Sequence, residues 1–331
     1  MKMKLPKKHH GAETTIFAKM TALALQENAA NLSQGFPDDE IHPHLKKLLA
    51  EATANNYNQY APMNGLPMLV ETLIDFNQKR NISVSKDELT VVPGATYGIY
   101  TAIASIIEYG DEVIVLEPSY DSYVPAIETN GGKTVFVSLN EHFEADFEAI
   151  KKAITEKTKA IIINSPHNPT GKIWKKADFE QLYQMIKDTE IMVISDEVYD
   201  LITFDENKFY SICHHPELKN RSFAIFSFGK MFHITGWKVG YILAPEELTN
   251  AFRSVHQYLC FSVNTPAQYA LAKHLENFEV NANALYLQQK RDFFLSEMKD
   301  LPFNFTEKTE GSYFQLAKYK QISDLGDREF S

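Results

Sequence analysis

Cysteine is scarce: Cys213 and Cys260 are the only two in 331 residues, and neither belongs to a CxxC pair. Two cannot build a disulfide framework for a chain this long, so a reducing compartment is expected, with the cytoplasm as predicted location. Basic charge is also short, with 33 Lys and Arg against 43 Asp and Glu, a net charge of -10 and a pI near 5.6. That balance argues against non-specific binding to nucleic acid or to an anionic membrane. Long apolar runs are missing too. The opening MKMKLPKKHHGAE is basic but no signal-peptide h-region follows it, and the TTIFAKMTALALQ run is short and interrupted by Lys19, too little for a membrane span. Repeats, low-complexity tracts and Pro/Gly linkers are absent. No GxGxxG follows a strand-like run, and Gly132-Lys133-Thr134 resembles the end of a P-loop only until Ile127 is found where its first glycine should stand. His9-His10 falls in a tail and Cys213-His214-His215 lacks a second ligand cluster, so no metal is expected. A small-molecule partner is what remains.

What is present is enough to bury a large core, with 44% hydrophobic and 23% charged residues. From about residue 95 the chain alternates apolar β-rich runs with helical periods. The runs are EVIVL (112 to 116), TVFVSL (134 to 139), KAIIIN (159 to 164), IMVIS (191 to 195), FAIFS (223 to 227) and GYILA (240 to 244). Between them lie helical stretches at 96 to 110, 147 to 154 and 176 to 188. Continuous rather than alternating apolar strands have both faces covered. The order is βαβ, so an α/β fold is predicted, with a mostly parallel central sheet and helices on both faces. Residues 1 to 45 read as an N-terminal arm and part of a small domain, 46 to 285 as a large domain, and 286 to 331 as the start of a C-terminal small α+β domain. In that last part FNFTEK and GSYFQLA read as strands, and LGDREFS starts a helix that leaves the small domain incomplete.

Ligands of open α/β sheets bind beyond the carboxyl ends of the strands, so the residues after each run are informative. After KAIIIN comes SPHNPTGK with Asn168, after IMVIS comes DEVYD with Asp196 and Tyr199, and after FAIFS comes FGKMFHITGWK with Lys230 and Lys238. VVPGAT precedes the helix of 96 to 110. Backbone N–H groups of Ala95 and Thr96 at a helix start form an anion site, which the Thr96 and Ser227 hydroxyls and the Lys238 ammonium complete. Asp196 suits a protonated ring nitrogen, Asn168 and Tyr199 a phenolic oxygen, Tyr120 a flat ring, and Lys230 a Schiff base. Singly, each has a plain structural role as a helix start, a turn, an N-cap or a surface charge. Together they describe a pocket for pyridoxal phosphate.

The stretches NLSQGFPDD, NQYAPMNGLPML, PGATYGIY, GDEVIVLEPSYDSY, NSPHNPTGK, SDEVYD and SFGKMFHITGWKVGYILAP span essentially the whole chain. In them the chain resembles the class I/II aminotransferases, fold type I pyridoxal-phosphate enzymes, and within these the branch of kynurenine/glutamine transaminases and methionine aminotransferases. The resemblance implies that Lys230 anchors the cofactor covalently and shuttles the proton, and that Asp196 keeps the pyridine nitrogen protonated. Asn168 and Tyr199 would contact the ring oxygen, Tyr120 would stack on the ring, and Ala95, Thr96, Ser227 and Lys238 would hold the phosphate. Tyr60 would reach the phosphate of a neighbouring subunit, which implies a homodimer with shared active sites. Gly35 and Asn168 would lie at the substrate, with Phe17, Phe36 and Phe261 lining the side-chain pocket together with Tyr60 and Tyr120.

The implied reaction moves the amino group of an aromatic or sulfur-containing L-amino acid, of the methionine, glutamine, phenylalanine or kynurenine type, to a 2-oxo acid by a ping-pong mechanism. A C–S β-lyase with the same cofactor constellation is the alternative enzyme, and a catalytically incomplete cofactor-binding fragment the alternative outside catalysis. Lys238 stands where many members carry arginine, and a point charge replaces a fork without losing the phosphate. The family's carboxylate-clamping arginine is expected beyond Ser331, since Arg328 lies in a different local sequence.

Overall fold

A computed structural model of the chain describes residues 16–33, 35, 39–280, 282–305 and 307–330. Helices α1 (Ile16–Gln26), α2 (Pro43–Ala54) and α3 (Pro67–Lys79) precede strand β1 (Leu89–Val92) and helix α4 (Ala95–Ile106). The alternation continues with β2 (Glu112–Glu117), α5 (Tyr123–Thr129), β3 (Lys133–Ser138), α6 (Phe147–Ala153), β4 (Thr158–Asn164), α7 (Lys176–Ile186) and β5 (Met192–Asp196). It ends with β6 (Ser222–Ser227), α8 (Phe228–Met231), β7 (Gly240–Leu243), α9 (Glu246–Leu259), α10 (Thr265–Leu275), α11 (Ala282–Met298) and α12 (Asp327–Phe330).

One sheet joins the strands in the order β1-β7-β6-β5-β4-β2-β3. The pairs β2–β3, β2–β4, β4–β5 and β5–β6 are parallel, and β7 runs antiparallel to both β6 and β1. The mostly parallel sheet is therefore as expected, with β7 as the single reversed strand. Successive strand residues alternate between two cores, because side chains of a strand point to opposite faces. Ile161, Ile163, Ala224 and Phe226 pack with Leu73 of α3, Phe179 of α7 and Leu271 of α10. Ala160, Ile162, Phe223 and Ile225 pack with Ile99 of α4, Ile127 of α5 and Phe252 of α9. Both faces are covered, which is why the strands read as unbroken apolar runs. Each buried Ile, Leu or Phe among them contributes roughly 1.5–3 kcal/mol on burial.

Several local expectations change. LTVV forms β1, which its four residues were too few to announce. Helix α4 ends at Ile106 rather than 110, because Ile107 is already extended and Gly110 turns the chain at φ 94°. The run at TTIFAKMTALALQ contributes α1, a helix with no buried residue. FNFTEK and GSYFQLA, read as strands, form no ladder among the described residues. Single antiparallel bridges, Asn304 to Lys318 and Thr203 to Gly311, are all they contribute. Side chains serve their backbone instead: Gln315 donates to the Glu307 carbonyl at 2.8 Å and accepts from the Thr309 N–H at 3.1 Å, while Arg291 donates to the Thr309 carbonyl at 2.8 Å. The helix expected at LGDREFS is α12.

Candidate active site

The parallel strands β4, β5 and β6 end in Asn164, Asp196 and Ser227, and beside them α4 starts at Ala95. A cavity of about 300 Å³ opens there. It is lined by Phe17, Gly35, Ala95, Thr96, Tyr120, Asn168, Asp196, Tyr199, Ser227, Lys230 and Lys238. Eleven of the residues singled out from the sequence thus converge on one space. Their chain separation is large, and only the parallel order of the strands puts their ends side by side.

Lys230 sits in α8, the short helix after β6, and its Nζ donates a 2.7 Å hydrogen bond to the Gly35 carbonyl. The ammonium also lies 5.6 Å from the Tyr199 ring and 5.5 Å from the Tyr313 ring. Burial lowers its pKa to about 8, Asp196 opposes that shift, and the like charge of Lys238 adds to it. A free amine is therefore within reach near neutral pH.

Asp196 is buried at the end of β5, and burial raises its carboxyl to about 6. Tyr123 donates to Oδ2 at 2.6 Å, the Val198 N–H donates to Oδ1 at 3.4 Å, and both bonds favour the ionised form. A buried anion with so few donors favours a cation placed against it. Tyr199 is buried and its phenol stays protonated, since burial pushes its pKa well up.

The opposite part of the cavity is built for an anion. The first N–H groups of α4 have no intrahelical acceptor and point out of the helix start. Gly94 caps that helix at φ 88°, and a Cβ there would come 3.4 Å from the Lys238 Cε and Nζ. Glycine at this point permits the positive-φ backbone, and even a Cβ would meet the lysine only at ordinary contact distance. The Thr96 hydroxyl stands 3.3 Å from the Tyr120 hydroxyl. An anionic group at α4, a cationic nitrogen at Asp196 and a carbonyl carbon at Lys230 all find complementary partners here.

The structure does not bring every expected residue into the cavity. Tyr60 is 79% and Phe261 48% exposed, and their rings pack edge to face at 4.8 Å on the surface. Phe36 lies outside the described residues. Sequence reasoning missed Asn164, Tyr123 and Phe314. Asn164 accepts from the Asn168 N–H at 2.7 Å and donates to the Asp196 carbonyl at 2.8 Å, tying two strand ends and the following turn together. Its signal was a polar residue closing an apolar strand. Phe314 lines the cavity and presses on Gly35 so closely that no Cβ fits between them; nothing in the local sequence foretells that contact.

The family model of aminotransferase class I and II matches residues 27–324. The chain belongs to this family, and it is an aminotransferase with the fold type I architecture. It is 44% identical to the methionine aminotransferase of Escherichia coli (strain K12) over 323 residues, covering 96% of this chain and 83% of that one. It is 33% identical to a kynurenine–oxoglutarate transaminase of Dictyostelium discoideum over 342 residues, covering 95% and 78%. Among solved structures, that of YbdL from Escherichia coli, for which a methionine aminotransferase function was identified, superposes with a TM-score of 0.95 at 42% identity, covering 99% of this chain and 87% of that one.

Proposed function

We infer that the cavity holds pyridoxal 5'-phosphate and that the protein transfers the amino group of an aromatic or sulfur-containing L-amino acid to a 2-oxo acid. The observation that carries this reading is the meeting of a lysine of lowered pKa, a buried carboxylate and a lysine-flanked helix start around about 300 Å³. When bound, the cofactor supplies an electron sink for the charge that develops at the substrate α carbon. The chain's own groups do the rest. Lys230 anchors the cofactor, and its free amine then takes the proton from the α carbon. Asp196, held by Tyr123, keeps the ring nitrogen protonated. Asn168 and Tyr199 donate to the ring oxygen, and Tyr120 covers the ring face. Ala95 and Thr96 N–H groups, the Ser227 hydroxyl and the Lys238 ammonium hold the phosphate.

Substrate choice rests on an apolar pocket. Gly35 and Asn168 stand at the substrate, and Phe17 and Phe314, which line the cavity, favour an aromatic or thioether side chain over a dicarboxylate. The similarity to a methionine aminotransferase and a kynurenine transaminase supports the same class. Tyr60 and Phe261, exposed and packed together, fit a homodimer in which each subunit completes its partner's site. A cytoplasmic place of action agrees with the free thiols of Cys213 and Cys260.

The test is reconstitution with pyridoxal phosphate, followed by methionine, glutamine, phenylalanine or kynurenine with a 2-oxo acid. A visible absorption band on cofactor addition and formation of the donor's oxo acid only with an acceptor present are expected. Absence of the band, or release of pyruvate and a thiol from cysteine conjugates without any acceptor, overturns the reading.

A further inference from the structure

Tyr313 stands outside the set of residues that would hold the cofactor, and its ring nevertheless reaches the amine on which the reaction turns. Nζ of Lys230 lies over the Tyr313 ring at 5.5 Å and over the Tyr199 ring at 5.6 Å. The two rings meet edge to face, with centroids 5.2 Å apart and planes at 89°. The lysine nitrogen is thus shared by two aromatic rings set at right angles to one another.

Segments far apart in the chain build this placement. The Ser312 N–H donates to the Ile202 carbonyl at 2.9 Å and the Ile202 N–H donates to the Tyr199 carbonyl at 2.8 Å, so the backbone before Tyr313 hangs on the turn that carries Tyr199. The Gly311 N–H donates to the Gly171 carbonyl at 2.9 Å, which ties the same segment to the turn that carries Asn168. A Cβ on Gly311 would stand 2.6 Å from the Ile202 carbonyl oxygen and 2.9 Å from the Pro166 side chain, so this approach needs glycine. Ser312 is buried in the left-handed region at φ 63°, a conformation costly for a residue with a side chain and kept only where the surroundings fix it.

Lys230 lacks what these rings supply. Among the described residues the Gly35 carbonyl, at 2.7 Å, is the one hydrogen-bond acceptor of Nζ, whereas an ammonium has three donors. The charged groups that face it are Asp196 at the end of β5, which favours the ammonium, and Lys238, which opposes it together with burial. An aromatic face carries negative potential and attracts a cation within about 6 Å of its centre, most strongly where water is kept away.

We propose that Tyr313 is a positioning residue for amino transfer: with Tyr199 it holds the Lys230 amine over aromatic faces whenever that amine is free, and it stabilises the ammonium formed when the amine takes the α-carbon proton. This rests on the reading of Lys230 as cofactor anchor and proton carrier. The ring rather than the hydroxyl carries the effect.

The test replaces Tyr313 in the full chain by phenylalanine and by its singly, triply and fully ring-fluorinated analogues, which keep the ring's shape while removing the negative potential of its face. Each protein, stripped of cofactor, is reductively methylated with formaldehyde and cyanoborohydride over a pH series, and modification of Lys230 is read by peptide mass spectrometry. Tyr313→Phe is expected to keep the wild-type midpoint. With fluorination the midpoint falls step by step, by roughly 0.5–1.5 pH units for the fully fluorinated ring. In the cofactor-loaded proteins the isotope effect of α-deuterated methionine on turnover grows in the same order while KM stays unchanged. Midpoints that ignore fluorine number, a Tyr313→Phe shift as large as that of the fully fluorinated ring, or a change in KM alone overturns the proposal. A missing visible band marks failure of the cofactor reading, whereas flat midpoints in protein that shows the band mark failure of the Tyr313 assignment.

Discussion

The Tyr123 hydroxyl donates a 2.6 Å hydrogen bond to Oδ2 of Asp196, across 73 residues of chain and with both groups buried. Asp196 is thereby held ionised in a place where burial works against ionisation. Removing the donor with Tyr123→Phe raises the carboxyl further above about 6. A hydrogen bond to a charged group contributes about 1.5–3 kcal/mol, so turnover is expected to fall roughly ten- to a hundredfold. The acid limb of the pH–rate profile should move to higher pH. Steady-state rates measured across the acid range check both effects.

Lys230 titrates near 8 in the chain alone. The amine is the reactive form, so the rate of cofactor uptake by stripped protein rises with pH through a midpoint near 8. Lys238→Ala removes a like charge and moves that midpoint upward, as well as weakening phosphate binding. Lys230→Ala abolishes the visible band and lowers turnover by at least about 10²- to 10⁴-fold. Stopped-flow absorbance over a pH series reads the midpoints.

Gly35 and Phe314 touch with no room for a side-chain carbon between them. Gly35→Ala displaces the ring, and overpacking of this kind costs about 1–3 kcal/mol. Because the Gly35 carbonyl also accepts from Lys230, the substitution should raise KM and slow turnover together. Pairing it with Phe314→Ala should restore much of the lost stability, giving a clear coupling energy in a double-mutant cycle read from urea midpoints.

Glu197, next to Asp196, is fully buried and faces away from the cavity. Its Oε1 accepts from the Ser195 hydroxyl at 2.8 Å and the Ile212 N–H at 2.9 Å. Burial raises its pKa to about 7. A carboxyl whose pKa is higher folded than unfolded contributes stability below its unfolded value, near 4.5, and loses it as pH rises through about 7. Glu197→Gln has no such loss. The variant should gain on the wild type by up to about 3 kcal/mol between pH 4.5 and 7. Urea midpoints of both proteins across this range check the sign.

The sequence alone determined the layered α/β fold, because unbroken apolar runs such as KAIIIN have to be covered on both faces. It also named Lys230, Asp196, Asn168 and Lys238, because polar residues that follow buried strands mark the carboxyl edge of a parallel sheet. Contacts between distant segments were beyond it. That Tyr123 rather than a nearer group holds Asp196, that Phe314 closes on Gly35, and that FNFTEK and GSYFQLA pair by single bridges are decided by packing. The antiparallel course of β7 likewise depends on which elements lie side by side. Local patterns report how each segment meets solvent and core, whereas the partner of a buried hydroxyl or ring depends on the whole chain's arrangement in space.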